Sequence, residues 1–260
     1  MGEFAGTSSG SSLDFQDHRT YLPGDDPRQI NWQAYARTGS YTMKVYREEV
    51  RPCVDLILDI SVSMRAFRTK GLRVMELLAF LLETALQSGA TLRAFAVRGS
   101  EHRLLEVEAL VSGGWPLEFE AVAALPSEAA PVLTRLPLRP GSMRLLLSDL
   151  LFPTEPEAFL ASLATRQGRG IVLAPFCQEE SSPGWTGNHE FVDAETGMPQ
   201  EHRVEADMLR QYLQAYTRHF DLWKAAAAKH GISLARVNAD VEFLTALRTE
   251  GIPARAVEVA

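Results

Sequence analysis

Residues 54–64 read V-D-L-I-L-D-I-S-V-S-M, and this stretch limits the fold more than any other. Apart from Asp55 the run is apolar at successive rather than alternate positions until it ends in Asp59. It fits a strand covered on both faces, as in a parallel sheet flanked by helices. Residues 70–88 continue with a helical period, Leu72, Met75, Leu78, Ala79, Leu82 and Leu86 marking the expected buried stripe and Gly89 the expected end.

Alternation then persists. Strands are expected at 91–97 and 103–107, a weaker helical patch at 116–125, and a short buried strand at 143–147 that runs into Ser148 and Asp149. A helix at 155–165 and a strand at 170–177 follow. Residues 179–203, rich in Gly, Pro, Ser and Glu, read as an insertion with a small hairpin around 189–192. The longest helix is expected at 205–230, with Leu209, Tyr212, Leu213, Tyr216, Phe220 and Trp223 as its stripe, then a strand at 232–237 and a helix at 241–248. This pattern predicts an α/β fold: a mostly parallel, Rossmann-like sheet flanked by helices, with ligands beyond the carboxyl ends of its strands.

The chain divides into residues 1–12, small and polar and expected to be flexible; an irregular segment 13–50, expected to pack on the core; and the α/β domain 51–260. G-T-S-S-G at residues 6–10 matches a nucleophile-elbow pattern but lacks the strand before and the helix after that the motif requires. Within 13–50 the P-G-D-D-P cluster at 23–27 marks a turn, 30–36 a short helix with Trp32 and Tyr35 on one side, and 41–47 an alternating strand. The mixed charges of this segment suit salt bridges that clamp an ordered, loop-rich piece to the domain.

Several function classes fall away. With 33 acidic against 26 basic residues, the chain lacks the basic excess of a nucleic-acid binder. No apolar run reaches the roughly 18–20 residues needed to cross a bilayer. Cys53 and Cys177 fit no C-x-x-C spacing and read as free thiols of a cytoplasmic protein. The six histidines show no metal-binding spacing, and no Walker A or G-x-G-x-x-G sequence occurs.

What remains is the D-x-S-x-S motif. Alternate residues of an extended loop point the same way, so Asp59, Ser61 and Ser63 can converge on one hard cation such as Mg²⁺, with Asp149 arriving from a second strand end. Neutral hydroxyls leave such a cation electrophilic and open to an acidic ligand from outside. The competing reading is a serine cap on the next helix, with Asp59 bonding turn amides.

The order LDFQDHRTYLPGDDPRQINWQAYARTG, MKVYREEV and VDLILDISVSM resembles the bacterial domain of unknown function 58 family, from about Leu13 to the last helix. The resemblance implies a core like the von Willebrand factor A domain with its metal-ion-dependent adhesion site, which falls here on Asp59, Ser61, Ser63 and Asp149. It also implies partnership with MoxR-type AAA+ ATPases in assembling or remodelling other proteins. Two positions depart from the family pattern. Where a threonine ligand is expected near paired glycines, Gly113 and Gly114 are followed by Trp115, with Ser112 the nearby hydroxyl. The usual Asp before Trp32 is Asn31.

The expectation is a non-enzymatic protein-protein interaction module. Its rivals are a metal-dependent hydrolase built on Asp59 and Asp149, for which no general base or nucleophile stands out, and a metal-free scaffold.

Overall fold

The computed structural model describes residues 13–48, 51–113 and 130–257. These divide into two compact units, with the boundary between Arg51 and Pro52.

The smaller unit contains β1 (Leu13–Thr20), α1 (Trp32–Thr38) and β2 (Thr42–Glu48). β1 and β2 form an antiparallel ladder from Leu13↔Glu48 to Thr20↔Thr42, with a register shift between Phe15 and Asp17. The sequence, with its charges and glutamine interrupting the apolar positions, suggested an irregular segment; the backbone instead makes a strand. The turn cluster is held by Asp25, which accepts from Leu22 N (2.8 Å) and pairs with the Arg19 guanidinium at 2.6 and 2.7 Å. Asn31 caps α1, its Oδ1 accepting from Ala34 N at 3.2 Å. An amide oxygen serves there as well as a carboxylate, so the departure from Asp leaves the cap intact. Tyr35 and Tyr41 stack with ring centroids 4.5 Å apart.

The larger unit opens with β3 (Cys53–Asp59), a 3-10 turn (Val62–Arg65) and α2 (Arg68–Gln87). Then come β4 (Thr91–Arg98), β5 (Glu101–Leu105) and α3 (Val107–Val111). The second half runs β6 (Met143–Leu147), α4 (Pro156–Ala164), β7 (Arg169–Phe176), α5 (Gln178–Ser181), β8 (Gly187–Val192) and β9 (Pro199–Val204). It closes with α6 (Ala206–Lys229), β10 (Ser233–Asn238) and α7 (Phe243–Ala246). The helix expected at 116–125 lies outside the described residues. Residues 107–111, partly assigned to the tail of a strand from sequence, are helical.

Six strands form one sheet in the order β10-β7-β6-β3-β4-β5, parallel except for β5. β3 lies in the middle: the chain builds outward from it through β4 and β5, then returns to its other side with β6. The order therefore reverses between β3 and β6, and it is at such a reversal that open α/β sheets leave a crevice beyond the strand ends. β8 and β9 form a separate antiparallel hairpin within the expected insertion.

Each face of the sheet carries its own core. One unites Val54, Leu56 and Leu58 of β3 with Val74, Leu77, Leu78, Leu81 and Leu82 of α2. The other unites Ile57, Leu146 and Val172 with Phe159 and Leu160 of α4 and Phe220 and Trp223 of α6. Trp223 is fully buried, edge-on to Phe152 and Phe159.

The stripe on α2 differs from the expected one. Leu72 and Leu86 are exposed, whereas Lys70, Arg73, Val74, Leu77, Leu78, Leu81, Leu82 and Ala85 are buried. The helix has leucines around much of its circumference, so their period alone does not fix its rotation. Two buried cations fix it instead, Lys70 through carboxylates and Arg73 through Val241 O. On α6 the expected stripe is fully buried only from Tyr216 onward, with Leu209, Tyr212 and Leu213 partly covered.

Candidate strand-end site

Asp59 closes β3, and the parallel register that pairs Leu58 with Leu147 sets Ser148 beside it. The Asp59 carboxylate is buried and accepts two hydrogen bonds, from Ser61 N at 2.9 Å on Oδ1 and from Ser148 Oγ at 2.6 Å on Oδ2. The hydroxyls of Ser61 and Ser63 lie 3.2 Å apart. The structure thus gathers the D-x-S-x-S side chains at the end of β3 as alternation predicts. The capping alternative is met in part: Asp59 does bond a turn amide, while neither serine side chain caps the 3-10 turn, and α2 begins after Phe67 with no side-chain cap.

Asp149 is differently employed. Its Oδ1 accepts from Leu151 N at 3.1 Å and its Oδ2 from Lys70 Nζ at 2.7 Å. The same ammonium reaches Glu180 Oε1 at 2.5 Å, and Lys70 is completely buried. Glu180 uses its other oxygen to accept from Cys177 N at 3.0 Å, the capping box that starts α5. Burial disfavours the ammonium, but Asp149 and Glu180 together outweigh that effect and raise the Lys70 pKa above its ordinary value. Lys70, in the first turn of α2, is thus a buried cation held between two buried carboxylates.

Charge at the rim is unevenly shared. Burial, then repulsion from Asp149, pushes the Asp59 carboxyl up to about 6 against the opposing bonds from Ser148 and Ser61. One ammonium serves Asp149 and Glu180, and Asp59 is left with neutral donors. A small pocket of ≈ 80 Å³ lies against Asp59 and Ser61, and its other walls, among them Ile60, Met64, Val74 and Met75, make it largely apolar.

Among the described residues no group of three or more His, Cys, Asp or Glu is placed to hold a metal; a cation here would depend on Asp59 with the two serine hydroxyls. That donor set, one carboxylate lacking a countercharge and two hydroxyls, would at most hold a hard cation weakly. Asp149 could join only at the expense of its bond to Lys70. Ser112 donates its hydroxyl to Ala109 O at 3.0 Å at the end of α3, and Gly114 and Trp115 lie outside the described residues. The Cys177 thiol donates to Glu180 Oε2 at 3.4 Å, and burial pushes its pKa up to about 12, which keeps it protonated and unreactive.

Four residues at this rim were not read as site residues from sequence: Lys70, Glu180, Arg98 and Glu195. Lys70 had a signal, since it falls in phase with Val74, Leu77, Leu78 and Leu81, and a lysine on a buried stripe needs an acidic partner. Glu195 sits in the turn between β8 and β9, and its Oε1 accepts from Ser63 N at 3.0 Å. Its other oxygen lies 3.8 Å from the Arg98 guanidinium. A contact spanning 132 positions leaves no local trace.

No helix among the described residues is long and apolar enough to cross a membrane. No curated protein matches the chain. Among solved structures it is similar to BatB, a conserved hypothetical protein from Bacteroides thetaiotaomicron, at 12% identity and a TM-score of 0.39, covering 79% of this chain and 100% of that one. It is also similar to an aerotolerance-related membrane protein from Bacteroides fragilis, at 12% identity and a TM-score of 0.37, covering 69% of this chain and 98% of that one. The family described as protein of unknown function DUF58 matches residues 17–221, and the chain belongs to that family.

Proposed function

We propose that this protein is a non-enzymatic interaction module of von Willebrand factor A type, which engages a protein partner through the rim between β3 and β6. The observation that carries this reading is the meeting of Asp59, Ser61 and Ser63 at the point where strand order reverses. In this reading Asp59 and the two serine hydroxyls hold Mg²⁺ weakly, and Asp149 contributes indirectly through its place beside Asp59. A Mg²⁺ held by neutral hydroxyls supplies an electrophilic position for an acidic group of the partner. The family resemblance points to a MoxR-type AAA+ ATPase as partner and to assembly or remodelling of other proteins as the process. That Cys53 and Cys177 are not joined in a disulfide supports a cytoplasmic setting.

The hydrolase alternative has less support. Asp149 is engaged by Lys70, and the Lys70 ammonium, held between two carboxylates with its pKa raised, is unsuited to act as a base. Calorimetric titration of Mg²⁺ and Mn²⁺ into wild type and Asp59→Ala tests the metal step. Saturable heat lost in the variant is the expected result; equal heats in both would overturn the assignment to Asp59. Capture of an AAA+ ATPase by wild type but not by Asp59→Ala tests the partner step.

A further inference from the structure

The hairpin β8/β9 carries a contact that its own folding does not require. Its turn is closed by Asp193, whose Oδ1 accepts from Glu195 N (3.0 Å), Thr196 N (2.8 Å) and Thr196 Oγ1 (2.9 Å), while Gly197 N donates to Asp193 O. Those bonds from Thr196 hold the Asp193 carboxyl below the usual range. Gly197, at φ +69°, supplies the left-handed residue that such a turn needs. Glu195 stands at the tip of this braced turn, and unlike its mostly exposed neighbours it turns inward, its side chain only 25% exposed. There its carboxylate meets the backbone N–H of Ser63 and the largely buried guanidinium of Arg98.

We propose that Ser63 N–H and Arg98 form a carboxylate-binding site at the rim, filled in the isolated chain by Glu195 and open to an acidic side chain of a protein partner when the hairpin lifts. A backbone N–H with a guanidinium is a pairing suited to a carboxylate, and a carboxylate on a tight turn is the form an acidic loop of a partner would present. Glu195 belongs to the same chain as the site, so it competes from within at high effective concentration and lowers the apparent affinity of any outside carboxylate. This deepens the interaction reading above by naming what the rim recognises, and it needs no metal.

The test uses the full chain, isotope-labelled for NMR, and a disulfide-cyclised peptide carrying the chain's own turn sequence D-A-E-T-G. Glu195→Ala, which removes the acceptor altogether, is expected to speed hydrogen exchange at the Ser63 amide and to bind the peptide about tenfold or more tightly than wild type. Replacing Glu by Gln in the peptide, or adding Arg98→Gln to the protein, is expected to remove that binding. Asp193→Ala, which loosens the turn and leaves the carboxylate in place, shifts peptide affinity in the same direction by less. Unchanged Ser63 exchange in Glu195→Ala, or equal peptide affinity for wild type and that variant, overturns the proposal. Mg²⁺ titration separates the two readings. Peptide binding without Mg²⁺ heat sinks only the metal step of the proposed function, and Mg²⁺ heat without peptide binding sinks only the carboxylate site.

Discussion

β3 carries two buried aspartates on one face, Asp55 near its amino end and Asp59 at its carboxyl end, and the sheet treats them in opposite ways. Asp55 accepts from Arg93 Nε (3.1 Å), Arg139 N (2.8 Å), Arg139 Nε (2.9 Å) and Ser142 Oγ (2.9 Å). Burial alone would raise its pKa, but Arg93, Arg139 and Ser142 more than reverse that and hold it below the usual carboxylate range. Asp59 has hydroxyl and amide donors, no cation of its own, and a second aspartate close by. One end of the strand is a finished ionic lock, and the other keeps negative charge in reserve. Only the unfinished end has something to offer a ligand.

This contrast can be broken at several points. Asp55→Ala should have the largest effect, roughly 3–5 kcal/mol lost in urea unfolding, because it strands two arginines and a buried hydroxyl. Lys70→Met should cost a similar amount, roughly 3–5 kcal/mol, through the uncompensated Asp149 and Glu180 carboxylates. If either variant unfolds like wild type, the charges are satisfied some other way. Lys70, whose folded pKa is raised, should contribute fully below its unfolded pKa and lose its contribution only as pH climbs through the folded value.

The pH dependence of the two aspartates should have opposite sign. Asp55, depressed in the fold, stabilises above its unfolded pKa, and that stability is lost as pH falls through the folded value. Asp59 binds its proton more tightly folded than unfolded, so it destabilises the metal-free fold above about pH 6 and is relieved as pH falls toward ordinary carboxylate values. With a folded value of about 6, the ceiling on that penalty is about 3 kcal/mol. Asp59→Asn should therefore flatten the unfolding free energy between about pH 4 and pH 6, measured in chelator, and should be neutral or stabilising at neutral pH. A destabilised Asp59→Asn at pH 7 would show that the two ends of β3 are alike after all. The smallest effect is expected on the exposed α6 surface, where removing the Arg210–Asp207 pair should change stability by less than about 1 kcal/mol.

How much of this was readable from residues follows from how local each signal is. The strands β3, β6 and β7 announce themselves as short aliphatic runs, and Asp59, Ser61 and Ser63 share an orientation through simple alternation. β1 was hidden because its polar residues mask the pairing that β2 supplies. The phase of α2 was misjudged because leucines surround it and the deciding partners, Asp149 and Glu180, lie far along the chain. Asp149 was found, but not its bond to Lys70, and Glu195 could not be found at all, since its partners, Ser63 in the turn after β3 and Arg98 at the end of β4, lie far from it along the chain. Periodicity reveals faces; it does not reveal which distant groups meet there.

Directly after Asp149 the backbone takes an unusual step: Leu150 has φ +60°, a left-handed conformation that a branched side chain adopts at a cost of roughly 1–2 kcal/mol. Asp149 goes to Lys70, while Leu150 is buried in the same cluster as Trp223. His219 Nε2 approaches Leu150 O at 2.8 Å and lies 3.0 Å from the Trp223 indole nitrogen. The height of the rim is thereby calibrated from below, by the aromatic stack that seats α6. Tilting that stack would shift the carboxylate above it, and with Trp32, Trp115 and Trp185 replaced, the emission of Trp223 offers an optical gauge of whether anything has docked.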